Sequence, residues 1–183
     1  MYITPGPNNS MILASGIKFG FLKTIPVIFG ITIGHNFQLF LVCIGFGKIF
    51  EIFPDIQFFL KILCAAYMFY LSYKILGSFN NIKNKNAKPI NFYQAALFQI
   101  LNPKAWSISS MAASGFITSE MNLFSSITII VIIALIVCPI AITPWAAFGS
   151  LIRKFIKNTI IKSIIEYMLA FLLSLTAIFF IIQ

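Results

Sequence analysis

Two short motifs combine proline with polar side chains inside apolar sequence, the composition expected of a break in a membrane helix. The first is residues 4–9, Thr-Pro-Gly-Pro-Asn-Asn, and the second is residues 102–104, Asn-Pro-Lys. Proline removes a backbone donor, and in lipid the freed backbone groups are tolerated only where protein or a water-filled cavity satisfies them. Helix amino termini at such breaks attract an anionic group, whereas unwound carbonyls and asparagine oxygens suit an ammonium. The motifs therefore predict one shared polar site for a small zwitterion such as an amino acid.

The predicted substrate-binding residues belong to these motifs and are Pro5, Gly6, Pro7, Asn8, Asn9, Asn102, Pro103 and Lys104. Lys104 carries a full charge near the middle of the apolar segment 91–117. A charge at that depth costs at least about 2.5–3.5 kcal/mol on insertion scales, which favours a functional or paired role. The alternative is that Lys104 lies nearer an interface and extends its ammonium towards water.

Four further polar residues are candidates to line the same site or to carry protons. His35, Asn36 and Gln38 lie within about one turn in the middle of the second apolar segment, so some of them must face the interior of a bundle. Gln99 directly precedes the second motif. His35 titrates nearest neutrality and is a candidate proton carrier, although we favour a structural histidine bonded to a neighbouring carbonyl. We expect Glu166 to pair with a lysine at the interface and not to relay protons.

The composition places these motifs in a membrane protein. Of the 183 residues, 60% are hydrophobic and 9% are charged, whereas soluble domains are roughly 45–50% apolar and about 25% charged. The net charge of +9 does not indicate nucleic acid as a partner, because the basic residues lie in short gaps between apolar runs. Little sequence remains for a soluble domain, so we expect no enzyme activity and no cofactor.

The predicted fold is an all-α membrane protein: a bundle of about six transmembrane helices in two inverted three-helix halves, the first helix shortened. The apolar segments are 2–18, 24–48, 56–77, 91–117, 122–150 and 163–182. They form a single transporter domain, 1–183, with half one at 1–77, a cytoplasmic loop at 78–90 and half two at 91–183. An odd number of spans per half makes the two halves insert with opposite orientation.

Basic residues set the predicted orientation, because lysine and arginine are retained in the cytoplasm. One side of the membrane would hold ten of them and the other side only Lys48 and Lys61. Both termini would then face outward. The amino terminus lacks a basic region before an apolar core, so we expect no cleavable signal peptide. The predicted location is the bacterial inner membrane, as a multi-pass protein.

The cysteines and glycines give weaker signals. Cys43, Cys64 and Cys138 lie inside apolar segments without a CxxC pair or metal-ligand spacing, so we interpret them as packing residues. A membrane thiol-redox conduit is a second hypothesis, and it would need two cysteines at matching places in the two halves. Cys43 and Cys138 do not occupy equivalent spans, so only a Cys43–Cys138 crosslink would support it. Small-xxx-small pairs at 16/20 and 30/34 allow close helix packing and permit a homodimer.

The motifs also resemble a known family. Residues 4–9, followed by the two glycine pairs, are similar to the amino-terminal signature of the LysE/RhtB family of amino-acid exporters. Residues 65–74 resemble its third-helix stretch, with Cys64 in place of the usual glycine, and 92–104 resemble its fourth-helix motif. The doubled asparagine and the 88–90 entry to the fourth span look most similar to the cysteine and O-acetylserine branch.

The resemblance implies export of amino acids or close derivatives from the cytoplasm, driven by the proton motive force, through six helices. It implies substrate-pathway roles for Pro5, Gly6, Pro7, Asn8, Asn102 and Pro103. One departure is that family members usually have about a dozen apolar residues before the first motif, where this chain has residues 1–4. The alternative hypothesis is therefore a non-transporting remnant of such an exporter.

Overall fold

The computed structural model describes residues 2–3, 6–45, 47, 52–76, 89–117, 122–155 and 159–182, and within them the fold is helical without strands. The principal helices are α1 (Pro7–Phe19), α2 (Phe21–Cys43), α3 (Pro54–Ile75), α4 (Phe92–Leu101), α5 (Pro103–Phe116), α6 (Leu123–Phe155) and α7 (Thr159–Ile182). This confirms the predicted all-α class. The predicted loop 78–90 lies outside the described residues except for Pro89 and Ile90.

Each predicted apolar segment corresponds to a helix, and the fourth corresponds to two. The fourth segment is divided into α4 and α5 at Asn102, inside the motif that predicted a break. The first helix is short, as predicted: its 13 residues extend about 20 Å at 1.5 Å per residue, less than a hydrocarbon core of about 30 Å. The fifth segment continues past its predicted end at residue 150 and forms the 33-residue helix α6 despite Pro139 and Pro144.

The exterior of the bundle is apolar, as lipid requires. Large hydrophobic side chains on the outer faces of the helices are exposed, among them Phe29, Phe37, Ile136 and Phe171. Within the described residues, α2 and α6 are long and apolar enough to cross a membrane, and α3, α4 and α7 contain shorter apolar stretches. The number of spans therefore stays a prediction.

The main helix pairs connect the two predicted halves of the chain. The helix α1 packs mainly on α6, and α3 packs mainly on α7. The helix α2 packs most on α4, then on α6 and α5. In an inverted repeat, α1 corresponds to the broken element α4 and α5, α2 to α6, and α3 to α7. The pair of α1 with α6 then corresponds to the pair of α2 with α4 and α5, and the pair of α3 with α7 corresponds to itself. Each broken element is thus packed against the second helix of the opposite half.

Glycines bring these paired helices into backbone contact. A Cβ built on Gly34 of α2 would lie 2.5 Å from the carbonyl oxygen of Ala96 on α4. On the other pair, a Cβ built on Gly149 of α6 would lie 2.5 Å from the carbonyl oxygen of Leu13 on α1. Real Cβ atoms cannot approach so closely, so glycine is needed at both crossings. Gly34 belongs to a predicted small-xxx-small pair, and such close approach is what that spacing allows.

A single residue joins α1 to α2. Gly20 has φ +87°, a left-handed conformation that glycine adopts without steric cost. Its carbonyl accepts a hydrogen bond from the Thr24 hydroxyl at 2.9 Å, and Thr24 in turn pairs with Ser15 at 2.9 Å. This tight turn fixes the direction of α1 relative to α2 and so positions the start of α1 inside the bundle.

Candidate functional site

The break between α4 and α5 is satisfied by protein groups. Asn102 has φ −85° and ψ 101°, an extended conformation, and Pro103 begins α5 at a position where a missing N–H costs nothing. At the end of α4, the Gln99 carbonyl accepts a hydrogen bond from the Asn102 N–H at 3.1 Å. The Ile100 carbonyl accepts one from Trp106 Nε1 at 2.9 Å. A break at membrane depth needs such internal partners.

The start of α1 resembles the start of α5 in two respects, a proline in the first turn and the absence of a side-chain cap. Pro7 occupies the first helical position, and no side chain caps the helix. The amino terminus of α5 also lacks a side-chain cap. The first-turn N–H groups of a helix have no partner inside the helix, and they carry the positive end of its dipole. Both breaks therefore present a helix amino terminus that suits an anionic group.

The two helix starts meet at one small polar cavity. Its volume is about 20 Å³, which is room for about one water molecule. A Cβ built on Gly6 would lie 3.0 Å from Lys104 Nζ, so the Lys104 ammonium lies directly against Gly6. The lining residues are Tyr2, Gly6, Pro7, Asn8, Asn9, His35, Asn102, Lys104, Ala105, Ile108 and Ile142.

The cavity combines groups for both charges of a zwitterion. Lys104 is the charged side chain in its lining, and no carboxylate lines it within the described part of the chain. Lys104 and the two helix amino termini suit a carboxylate. Asn102 is only 1% exposed, and among the described residues its Oδ1 has no hydrogen-bond partner. That oxygen is an acceptor available to an ammonium.

The cavity lies well inside α2, about two thirds of the way along this helix. His35 is fourteen residues after the start of α2 and eight residues before its end. At 1.5 Å per residue these separations are about 21 Å and 12 Å. A polar cavity at that depth matches the location of substrate sites between the repeats of secondary transporters.

His35 is held by an aromatic residue and not by a carbonyl among the contacts described. Tyr2 Oη lies 2.7 Å from His35 Nε2, and either group can donate the hydrogen. The two rings also meet edge to face, with centroids 5.2 Å apart. Asn9 Nδ2 donates to the Tyr2 carbonyl at 2.7 Å, which ties Tyr2 to α1. His35 thus has a hydrogen-bond partner, as a structural histidine requires, but the partner is the Tyr2 hydroxyl and not the carbonyl that we expected.

Gln99 takes part in the site through Asn8. Asn8 Nδ2 donates to Gln99 Oε1 at 2.9 Å, and Gln99 Nε2 donates back to Asn8 Oδ1 at 3.1 Å. Gln99 Nε2 also donates to the Ala95 carbonyl of its own helix at 3.1 Å. This reciprocal amide pair connects the start of α1 with the end of α4.

Some predicted residues do not line the cavity. Asn36 donates to the Thr32 carbonyl on its own helix at 2.9 Å, because it lies on a different face of α2 from His35. Gln38 is buried, and Pro103 is buried at the start of α5, but neither is part of the lining. Pro5 lies outside the described residues.

Tyr2, Ala105, Ile108 and Ile142 line the cavity although the sequence did not indicate them. The two residues on α5 follow Asn102 by three and six positions, so helical spacing from the break could have found them. The contact of Tyr2 with His35 depends on tertiary packing.

The cysteines and Glu166 lie away from this cavity. Cys138 lies 3.9 Å from the Thr32 hydroxyl, and Thr32 precedes Cys43 by eleven residues on α2, about 16 Å along the helix. A disulfide needs Cα atoms within about 7 Å, so this geometry gives no support to a Cys43–Cys138 redox pair. Glu166 is buried in the second turn of α7, and its pairing with a lysine at the interface stays a prediction. No cluster of potential metal ligands occurs in the described ranges.

Comparison with known proteins shows to which family the chain belongs. The sequence profile of the LysE type translocator family matches residues 1–183. The chain belongs to this family. It is therefore a transport protein and not an enzyme, and the family resemblance drawn from the motifs is confirmed.

Curated relatives of this LysE family member have a more specific name. Proteins named cysteine/O-acetylserine efflux protein from Escherichia coli (strain K12), Salmonella typhimurium and Shigella sonnei are each 27% identical to it over 157 residues. The match covers 85% of this chain and 80% of each relative. No solved structure matches significantly.

Proposed function

We propose that this protein is a secondary exporter that moves small zwitterionic amino-acid compounds out of the cytoplasm across the bacterial inner membrane. The observation that carries the proposal is the contact between Gly6 and Lys104, which brings the two broken elements to one polar cavity. The relatives named for cysteine and O-acetylserine efflux make those two compounds the first candidates.

The proposed binding mode assigns each charge of the substrate to one set of groups. The carboxylate binds the Lys104 ammonium and the amino termini of α1 and α5. The ammonium binds Asn102 Oδ1, which has no other partner among the described residues. Hydrogen bonds to charged groups are worth about 1.5–3 kcal/mol each, so these contacts can offset the desolvation of both charges.

The small volume of the cavity favours transport by alternating access, in which the cavity opens to admit its substrate. An amino acid needs several times the room that one water occupies, so a cavity of about 20 Å³ must open to admit it. In the proposed movement α1 parts from α4 and α5, against which it packs little compared with its packing on α6. Two inverted halves that rock about a central site are the usual basis of such movement.

The test is release of labelled substrate from proteoliposomes. Vesicles containing the purified protein are loaded with radiolabelled cysteine, O-acetylserine or a panel of other amino acids, and release is followed with and without an imposed pH gradient. We expect release of at least one small neutral amino-acid compound well above that from protein-free vesicles, accelerated by the gradient.

Two outcomes would contradict the proposal. Release equal to that from protein-free vesicles for every compound would favour the non-transporting remnant. Release that is unaffected by the imposed pH gradient would contradict proton-coupled secondary transport.

A further inference from the structure

A second and much larger cavity lies one helical turn away from the polar cavity. Its volume is about 790 Å³, within the range of small-molecule sites. It lies between α1, α3 and α4. Its walls include Met11 and Lys18 on α1, Tyr67 on α3, and the two ends of α4, which are the capping residue Asn91 and Leu101. Lys18 and Asn91 lie at the end of the cavity nearest the lysine-rich side of the protein, which the charge distribution predicts to face the cytoplasm.

The two cavities are separated by a thin layer. Along α1, Asn8 lines the small cavity and Met11 lines the large one. Along the other broken element, Asn102 lines the small cavity and the preceding Leu101 lines the large one. On each of these two elements, the residues that line the small cavity and those that line the large one are less than one helical turn apart, a distance of about 5 Å along the axis.

The reciprocal amide pair between Asn8 and Gln99 lies in this layer. It joins two helices with different principal partners, since α1 is held against α6 and α4 is held against α2 through their glycine contacts. Gln99 is fully buried, and its additional bond to the Ala95 carbonyl fixes its amide to α4. Asn8 is only half-buried. Parting the pair therefore requires a shift of α1 or a rotation of Asn8.

From this arrangement we infer that the large cavity is the cytoplasmic vestibule of the exporter and that the Asn8–Gln99 pair is the gate between the vestibule and the binding cavity. The inference rests on the proposed function, because it assigns an entry route to that site. A zwitterion can replace the pair bond for bond, since its carboxylate accepts from the amide nitrogens and its ammonium donates to the amide oxygens. The substrate itself thus compensates the opening of the gate.

The experiment measures access to the binding cavity and does not depend on transport. In a background with Cys43, Cys64 and Cys138 changed to alanine, single cysteines are introduced as Ala105→Cys, in the small cavity, or Ala14→Cys, in the large one. A membrane-impermeant anionic methanethiosulfonate is applied to inside-out vesicles and, separately, to right-side-out vesicles, and the labelling rates are compared.

We expect Ala14→Cys to label rapidly from the cytoplasmic face and Ala105→Cys at least tenfold more slowly. Adding Asn8→Ala or Gln99→Ala should raise the rate at Ala105→Cys at least tenfold and leave the rate at Ala14→Cys unchanged. The exchange variant Asn8→Gln with Gln99→Asn keeps the summed side-chain length and should restore slow labelling of Ala105→Cys.

Three results would overturn the inference. The first is an unchanged labelling rate at Ala105→Cys after loss of either amide. The second is an equal rise of the rate at both cysteines, which would indicate general loosening of the bundle. The third is labelling of Ala14→Cys only from the face opposite to the cytoplasm. Failure of the wild-type protein to release any amino acid would instead contradict the proposed function and leave the labelling result intact.

Discussion

The ammonium of Lys104, on the first turn of α5, lies against Gly6, the residue that precedes α1. These two residues belong to opposite halves of the chain, and each is adjacent to the proline that starts its helix. Their contact turns two separate helix breaks into one cavity. A Cβ at position 6 would shift the ammonium by a few tenths of an ångström, so the contact couples the residue at this position to the place of the charge.

Replacing Asn102 should weaken substrate binding. Asn102→Ala removes the buried Oδ1 that we assign to the substrate ammonium, and the loss of a hydrogen bond to a charged group costs about 1.5–3 kcal/mol. We expect the substrate concentration for half-maximal export to rise roughly tenfold or more, since about 1.4 kcal/mol corresponds to a factor of ten. Ser107→Ala, an exposed change on the same helix, is the control, and equal kinetics for the two variants would contradict the assignment.

The helix break could be predicted from the sequence because proline acts locally. The positions of Pro7 and Pro103 fix where α1 and α5 begin, and the polar residues beside them identify the motifs that meet. The Tyr2–His35 contact and the position of Ile142 could not be predicted, because they depend on how α1 and α6 pack against α2. Asn36 was assigned to the cavity by its proximity to His35 in sequence, but neighbouring residues on a helix point about 100° apart.

The tight helix crossing at Gly34 should be sensitive to one methyl group. Gly34→Ala places a Cβ against the Ala96 carbonyl, and overpacking of this kind costs about 1–3 kcal/mol. Gly115→Ala is the matched change, because a Cβ there meets nothing within 4 Å, and alanine is the better helix former by up to about 1 kcal/mol. We expect thermal unfolding in detergent, followed by circular dichroism, to occur earlier for Gly34→Ala and no earlier for Gly115→Ala. The reverse order would show that α2 and α4 do not pack as described.

The indole of Trp106 should stabilise the break between α4 and α5. Trp106→Phe keeps an aromatic ring but removes the Nε1 donor to the Ile100 carbonyl. This bond lies on the exposed outer side of the bundle, where lipid or detergent tails offer no replacement donor. An unsatisfied carbonyl without water costs about 1–3 kcal/mol, so we expect a lower melting temperature in the same assay. Because the break also positions Asn102 and Lys104, export should fall along with stability. Unchanged stability would mean that the released carbonyl finds another partner.

Lys104 provides the most direct test of the central claim that the cavity between the two broken elements binds the transported zwitterion. Lys104→Met keeps the length of the side chain and removes its charge, and Lys154→Met makes the same change at an exposed position near the end of α6. Initial rates of labelled O-acetylserine or cysteine release are measured in proteoliposomes containing equal amounts of each folded variant. The account predicts that Lys104→Met loses at least nine-tenths of the wild-type rate and that Lys154→Met retains it. Wild-type release by Lys104→Met would contradict the claim.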